Sequence, residues 1–219
     1  MRKDPDDRKI ELIDAAESLF SEKGFSETSV NDICDKVGVA HGLFYYYFDS
    51  KEDLIEAITA EVIGELESKL EAILEDLEMR ADEKFIRFLS LSFQRENKRP
   101  YLASYFSKID SPQVYYSLFD ELVDILTPYL TEIVEQGREE GIFHTKYPEQ
   151  TIRFWLNGRL FMVDKDDLFR EEVFEDMMAQ AFMLERLLGS ERSFLTSFYE
   201  EKEEEIKTFL QKASEEEID

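Results

Sequence analysis

The sequence is short of cysteine, glycine, proline and histidine, and it has no long apolar run. One cysteine in 219 residues, Cys34, excludes an internal disulfide and fits a reducing compartment. No stretch of about 18 apolar residues occurs, so a membrane-spanning helix is not expected. The opening residues, MRKDPDDRKIEL, carry positive charge with no apolar segment behind it, so a secretion signal is not expected either. These readings predict a cytoplasmic protein with no membrane partner. The two histidines, His41 and His144, stand in unrelated contexts. No Glu-x-x-His pair, Gly-rich phosphate loop, nucleophile elbow or Cys-x-x-Cys is found. No metal, cofactor or catalytic centre is therefore expected, and a helical-bundle enzyme is the weakest reading.

Negative charge is abundant. There are 51 acidic residues against 26 basic ones, for a net charge of −25. Such a balance disfavours a polyanionic partner unless one face differs or neutral donors meet the phosphates. Residues 1–51 hold seven basic side chains against eleven acidic ones, so the N-terminal quarter is not basic. That leaves open an all-α protein-interaction module without DNA binding.

With eight glycines and five prolines, and apolar residues recurring at spacings of three and four, the chain reads as all-α. In the first helix Ile10, Ile13, Ala16, Leu19 and Phe20 share the predicted buried face. Gly24 is its left-handed C-cap. Thr28 or Ser29 caps a second helix that buries Val30, Ile33, Cys34 and Val37. Gly38 breaks it. Asp49 or Ser50 caps a long helix, with Leu54, Ile58, Val62, Leu66, Leu70, Ile73 and Leu77 as its stripe to about Glu78. Further helices are expected over Asp82–Lys98, around Tyr101–Ile109, and from Ser111 and Pro112 toward EQGREEG with a kink at Pro128. Others follow from YPEQT, before Gly189, and from Ser193 into the acidic tail.

The run FYYYF at residues 44–48 is an aggregation hazard if exposed. Two short helices around a tight turn give it another meaning, that of a helix-turn-helix whose second helix enters the major groove. Phe44, Tyr47 and Phe48 then pack inward, while Leu43, Tyr45 and Tyr46 point elsewhere. Tyrosine hydroxyls can donate to phosphate without adding charge.

The stretch FSETSVNDICDKVGVAHGLFYYYFDSKEDL resembles the N-terminal domain of the TetR-type transcriptional regulators. It matches at Gly24, Phe25, Thr28, Val30, Ile33, Gly38, Val39, Gly42, Tyr45, Tyr47, Phe48, Ser50 and Lys51, and departs at Cys34, Leu43 and Phe44. A weaker resemblance lies in EIVEQGREEGIFHTKYPEQTIRFWLNGRL.

The resemblance implies a helix-turn-helix DNA-binding domain over residues 1–51 and a helical effector-binding and dimerisation domain over residues 52–219. It implies a palindromic double-stranded DNA operator, contacted from among Thr28, Ser29, Asn31, His41, Gly42, Leu43, Tyr45, Tyr46, Tyr47 and Lys51. It also implies a small-molecule effector, with helix four linking pocket to DNA. The ring-rich stretch Phe85–Phe119 points to a mainly apolar effector at Phe88, Tyr105, Tyr115, Tyr116 and Phe119. A homodimer is expected through two apolar-rich helices. These carry Ile152, Trp155, Leu156 and Leu160, and Phe174, Met177, Met178, Ala181, Leu184 and Leu188, with Gly158 allowing close approach.

Overall fold

The computed structural model describes residues 5–91, 112–162 and 173–218. Among them are ten α-helices and no strand: α1 (Pro5–Lys23), α2 (Val30–Val37), α3 (His41–Tyr47), α4 (Lys51–Glu75), α5 (Ala81–Ser90), α6 (Pro112–Glu139), α7 (Pro148–Met162), α8 (Val173–Leu188), α9 (Phe194–Glu201) and α10 (Glu203–Ile218). The expected helix around Tyr101–Ile109, the end of the one expected over Asp82–Lys98, and the polar connection after Val163 lie outside the described residues. The chain divides into two compact units, Met1–Leu66 with Ser104–Glu121, and Glu67–Ala103 with Leu122–Asp219.

In the first unit α1 packs on α2 and α2 on α3. The core is Leu12, Ala16, Phe20, Phe25, Ile33, Cys34, Phe44, Phe48, Leu54 and Ile58, all buried. The buried face of α1 runs through Leu12, Ala15, Ala16 and Phe20, and Ile10 is exposed. The expected face was thus misplaced at its start: two residues are about 200° around a helix, so Ile10 and Leu12 cannot share a side.

Glycine ends α1 and α2 as expected, with φ of 83° at Gly24 and 74° at Gly38. Nothing lies within 4 Å of a Cβ placed at Gly38, so the backbone angle alone favours glycine there. Ser50 opens α4 by accepting the Asp53 N–H at 3.0 Å, while Asp53 accepts the Asp49 N–H at 3.0 Å.

The stripe of α4 holds at Leu54, Ile58, Leu70 and Ile73, but Leu77 is exposed. The helix ends at Glu75, because the Asp76 carboxylate takes the N–H groups of Glu78 and Met79 at 3.0 and 3.2 Å and turns the chain. In the second unit buried Lys84 donates to the Leu74 carbonyl at 2.7 Å and so closes the C-terminal end of α4.

The second unit is centred on rings. Phe85 lies 6.1 Å from Phe143, 6.4 Å from Trp155 and 6.3 Å from Phe194. α8 packs against α7, α9 and α10. A buried carboxylate organises this end: Glu185 accepts the N–H groups of Leu195 and Thr196 at 2.7 and 3.0 Å, capping α9 from another helix. The single expected C-terminal helix is two, separated at Lys202.

Pro128 stands inside α6. Immediately before it, the Thr127 hydroxyl donates to the Val123 carbonyl, one turn back, at 2.6 Å. Near the end of α6, a Cβ added to Gly137 would run into the ring of buried Phe143 and come within 3.0 Å of the Ala81 Cβ. Helix propensity favours alanine over glycine there by about 1 kcal/mol, whereas overpacking a filled core costs about 1–3 kcal/mol. Gly137→Ala is therefore expected to lower stability despite sitting in a helix. Thermal or urea denaturation of the two proteins checks this, and an unchanged or higher midpoint refutes the close packing.

Candidate nucleic-acid interface

The seven residues of α3 are held by Phe44 within the helix and by Phe48, the residue that caps its C-terminal end. Phe44 and Phe48 are buried, 5.7 Å apart, and the Phe48 N–H donates to the Phe44 carbonyl. This leaves His41, Gly42, Tyr45 and Tyr46 exposed, and Leu43 and Tyr47 half-buried. Tyr46 is 74% exposed, which is the reverse of a core aromatic. The exposed rings are ordered by one another: His41 meets Tyr45 edge-on at 5.1 Å, and Tyr46 meets Tyr47 at 4.8 Å and 89°. A Cβ at Gly42 would meet nothing within 4 Å, so the helix surface is open there.

The start of α2 is a reciprocal cap. Ser29 Oγ accepts the Asp32 N–H at 3.1 Å and donates to the Asp32 carboxylate at 2.6 Å, which also accepts the Ser29 N–H at 2.8 Å. Lys23 donates to the same carboxylate at 2.9 Å. The Ser29 hydroxyl first, then the Lys23 ammonium and the Ser29 N–H, hold the Asp32 carboxyl far below the usual aspartate range. Asn31 is exposed beside this cap. Thr28 is buried, and its hydroxyl donates to the Gly24 carbonyl at 2.7 Å and the Leu19 carbonyl at 3.3 Å. The structure thus places the Thr28 side chain in the frame of the α1–α2 turn, away from the outer surface.

Lys51 Nζ lies 2.6 Å from the Phe25 carbonyl, 2.8 Å from that of Thr28 and 3.5 Å from that of Ser26. It also lies 4.2 Å from the centroid of the Phe25 ring. The other described cations of this region are engaged too. Arg8 pairs with Glu11 at 2.7 Å and Lys36 with Glu22 at 2.8 Å, and Lys9 lies over Phe48. The Lys36 ammonium, then the Ser18 hydroxyl, lower the Glu22 carboxyl below its ordinary value. The face around α3 is therefore built of aromatic and neutral polar groups.

The residues expected to bind an effector are distributed over both units. Phe88 is buried in the second unit, whereas Tyr115, Tyr116 and Phe119 belong to the first. Tyr115 stacks on buried Phe119, the rings parallel within 10° and 6.5 Å apart, and burial raises the Tyr115 hydroxyl pKa above its ordinary value. Tyr116 is exposed, and Tyr105 lies outside the described residues.

The side chains expected at a dimer interface are mostly turned into their own protomer. Ile152, Trp155, Leu156, Phe174, Ala181, Leu184 and Leu188 are buried, and Met177 and Met178 are half-buried. Leu160 belongs to α7, and its side chain lies outside the described set. Among the described side chains, the large exposed apolar residues of α7 and α8 are Phe154, Phe182, Met183 and Leu187. Periodicity shows that α8 is apolar on more than one side. It does not show that α9 and α10 cover one of those sides.

Residues 12–58 match the family model of bacterial regulatory proteins of the tetR family, and residues 103–185 match that of the tetracyclin repressor-like C-terminal domain. Over 75 residues the chain is 39% identical to the HTH-type transcriptional repressor KstR2 of Rhodococcus jostii, covering 34% of this chain and 37% of that one. It thus spans little more than a third of that relative's length. Two crystal structures share its fold. RolR in complex with resorcinol superposes with a TM-score of 0.63 at 20% identity, over 89% of this chain and 93% of that one. FadR from Bacillus subtilis in complex with stearoyl-CoA gives 0.56 at 23% identity, over 82% and 97%.

The cap at Ser29 sets the start of α2, and Ser29→Ala is expected to lower stability by about 1 kcal/mol. A carboxyl with a depressed folded-state pKa contributes stability that is complete above its unfolded value and is lost as pH falls through the folded one. The difference between the two proteins should hold from neutral to mildly acidic pH and shrink only in strong acid, as Asp32 takes up its proton. Urea titrations at several pH values check this, and equal midpoints at neutral pH would contradict the cap.

Proposed function

Because the chain belongs to the TetR family of bacterial regulatory proteins, we propose that it is a ligand-responsive transcriptional repressor that binds a palindromic DNA operator as a homodimer. The observation carrying this reading is the split along α3 and its C-cap: Phe44 and Phe48 are buried, while His41, Tyr45 and Tyr46 are exposed. A helix that keeps rings in water, with an open glycine beside them, has a surface that suits a groove wall. His41 reads base edges, and Leu43 offers apolar contact to a thymine methyl. Tyr45, Tyr46, Tyr47, Asn31 and Ser29 serve as neutral partners for phosphate and sugar.

The engaged lysines set the character of the binding. Few counterions are displaced from DNA by a face without available ammonium groups, so the dependence on salt is shallow compared with that of a basic repressor. Each neutralised phosphate contributes a slope of about −0.9. The effector is mainly apolar, as the ring-rich stretch Phe85–Phe119 supports, and an acyl thioester is one such class. The shared fold with a regulator crystallised with stearoyl-CoA is consistent with that class.

A mobility-shift titration on a duplex selected from a random-sequence pool tests the reading. Tyr46→Phe is expected to weaken binding by a similar factor on every bound sequence, while His41→Ala changes which sequences are preferred. A long-chain acyl-CoA, and not a sugar phosphate, is expected to release the DNA. Failure of the protein to select any duplex at low salt favours the protein-interaction alternative. A steep salt slope would show that other cations meet the phosphates.

Dimerisation is assigned to the exposed set, Phe154, Phe182, Met183 and Leu187, in place of the buried residues of the same helices. Arg186 lies over the Phe182 ring at 5.1 Å, and Gly158 of α7 has open space where a Cβ would stand. A two-fold axis lets one such patch meet its copy and bury both. Phe182→Glu with Leu187→Glu is expected to give a folded monomer, because neither side chain belongs to the protomer core. Light scattering at micromolar concentration reads the result, and an undisturbed dimer would place the interface elsewhere.

A further inference from the structure

We propose that α3 selects its operator chiefly by C5-methyl groups in the major groove, with Leu43 as the specificity-determining residue beside an open recess at Gly42. The inference rests on the DNA-binding reading above and narrows it from an operator to a class of operator. The helix is HGLFYYY and holds no arginine, lysine, asparagine, glutamine, aspartate or glutamate. The charged and amide side chains that distinguish guanine, adenine and cytosine by their edges are therefore absent from it. Its imidazole and phenol groups reach a base edge through single hydrogen bonds. What the helix has in quantity is apolar surface, and the major groove carries one apolar mark, the methyl at C5 of thymine.

The shape of the helix says where the contact falls. Phe44 is buried. Gly42 and Tyr46 each stand two residues from it, about 200° around the helix, and so face away from the core. Tyr46 is accordingly 74% exposed, and a Cβ at Gly42 would have nothing within 4 Å. Helix propensity disfavours glycine at such a position, and neither a positive φ nor a close neighbour inside the protomer requires it there. The open space is turned outward. The Cα–Cβ bond of Tyr46 tilts toward the helix N-terminus, over Gly42. Leu43, three residues before Tyr46, stands on the other side of the recess. It is half-buried, so part of its side chain stays open to a partner. A branched alkyl group and a ring on either side of a bare stretch of backbone accept a methyl. The C5–H of cytosine or uracil leaves the same recess unfilled and its contacts unmade.

The test uses the full chain on a duplex selected from a random-sequence pool. Each thymine is replaced in turn by deoxyuridine, which removes the methyl and keeps every hydrogen-bonding group. At one or more thymines of each half-site the replacement is expected to weaken binding about fourfold, the effect of withdrawing one buried methyl. The same pair is then changed to cytosine–guanine, with and without a methyl at C5 of the cytosine. The methylated duplex is expected to bind about fourfold more tightly than the unmethylated one. Leu43→Ala, folded by circular dichroism, is expected to bind the thymine and uracil duplexes equally, because the two deletions remove one contact. Gly42→Ala has room for its methyl in the free protein and removes no packed side chain. By filling the recess it should weaken binding of the thymine duplex more than that of the uracil duplex.

Equal binding of every uracil duplex would overturn the proposal. A uracil effect that persists in full in both Leu43→Ala and Gly42→Ala would overturn it by placing the methyl contact elsewhere, and no gain from methylating the cytosine would overturn it as well. Tighter binding of the methylcytosine duplex than of the thymine duplex makes methylated cytosine the source of the methyl, and the reverse order makes it thymine; both orders support the methyl reading. If the protein selects no duplex at low salt, the repressor reading fails and this inference fails with it. A selected duplex on which no methyl matters refutes the inference alone.

Discussion

Burial of Phe44 and Phe48 is the constraint on which the reading surface depends. A helix of seven residues has no stability of its own in water, because nucleation outweighs the few hydrogen bonds it closes. Its existence here is tertiary: two rings one turn apart are enclosed with Phe20, Phe25, Ile33 and Leu54 in the core of the unit. Once those two positions are fixed inward, the geometry of a helix decides the rest. Tyr45 and Tyr46 have no route to the same core and stand in solvent. The exposure of two tyrosines thus follows from the enclosure of two phenylalanines, and neither feature has a meaning without the other.

Much of this unit is legible in the sequence, because the signals are local. Gly24 and Gly38 announce left-handed caps, and Thr28 or Ser29 announces a helix start, which the structure gives to Ser29 with Asp32; each depends on residues within about four positions. The division of the aromatic run is legible for the same reason. What the sequence does not carry is the partner of a side chain that reaches far along the chain. Lys51 sits where a motif places a phosphate-binding lysine, yet its nitrogen meets carbonyls 23 to 26 residues earlier. Glu185 reads as one more acid on a helix, and only the fold brings the start of α9 onto it. In α7 and α8 the apolar residues were legible but the direction in which they face was not, since that depends on where α9 and α10 come to rest. The buried start of α1 was misread by a shift of two residues, within what a pattern of three and four permits.

Charge placement around the helix-turn-helix has a character that net charge alone does not reveal. The Lys23–Asp32 and Lys36–Glu22 pairs are largely exposed and contribute little stability each. Their effect is on the field: each neutralises a cation that a long-range attraction to DNA would use. On the proposed DNA-binding reading, a face whose cations are already paired gains little from electrostatic steering, and selectivity rests on short-range fit between rings, hydroxyls and the groove.

The notch at Gly137 has a consequence in evolutionary time. Every replacement of a glycine adds a Cβ, and that volume is already occupied by the ring of Phe143. Position 137 therefore has no single-step neighbour among the other nineteen residues that leaves the packing intact. A smaller side chain at position 143 makes room for that Cβ but opens a cavity against Phe85 and Phe194, at a cost of about 3–5 kcal/mol when the whole ring is lost. Neither residue of the pair can therefore change alone without loss of packing, and the two positions are coupled. Related chains should thus show the two sites changing together, with a small residue at the second wherever the first is no longer glycine.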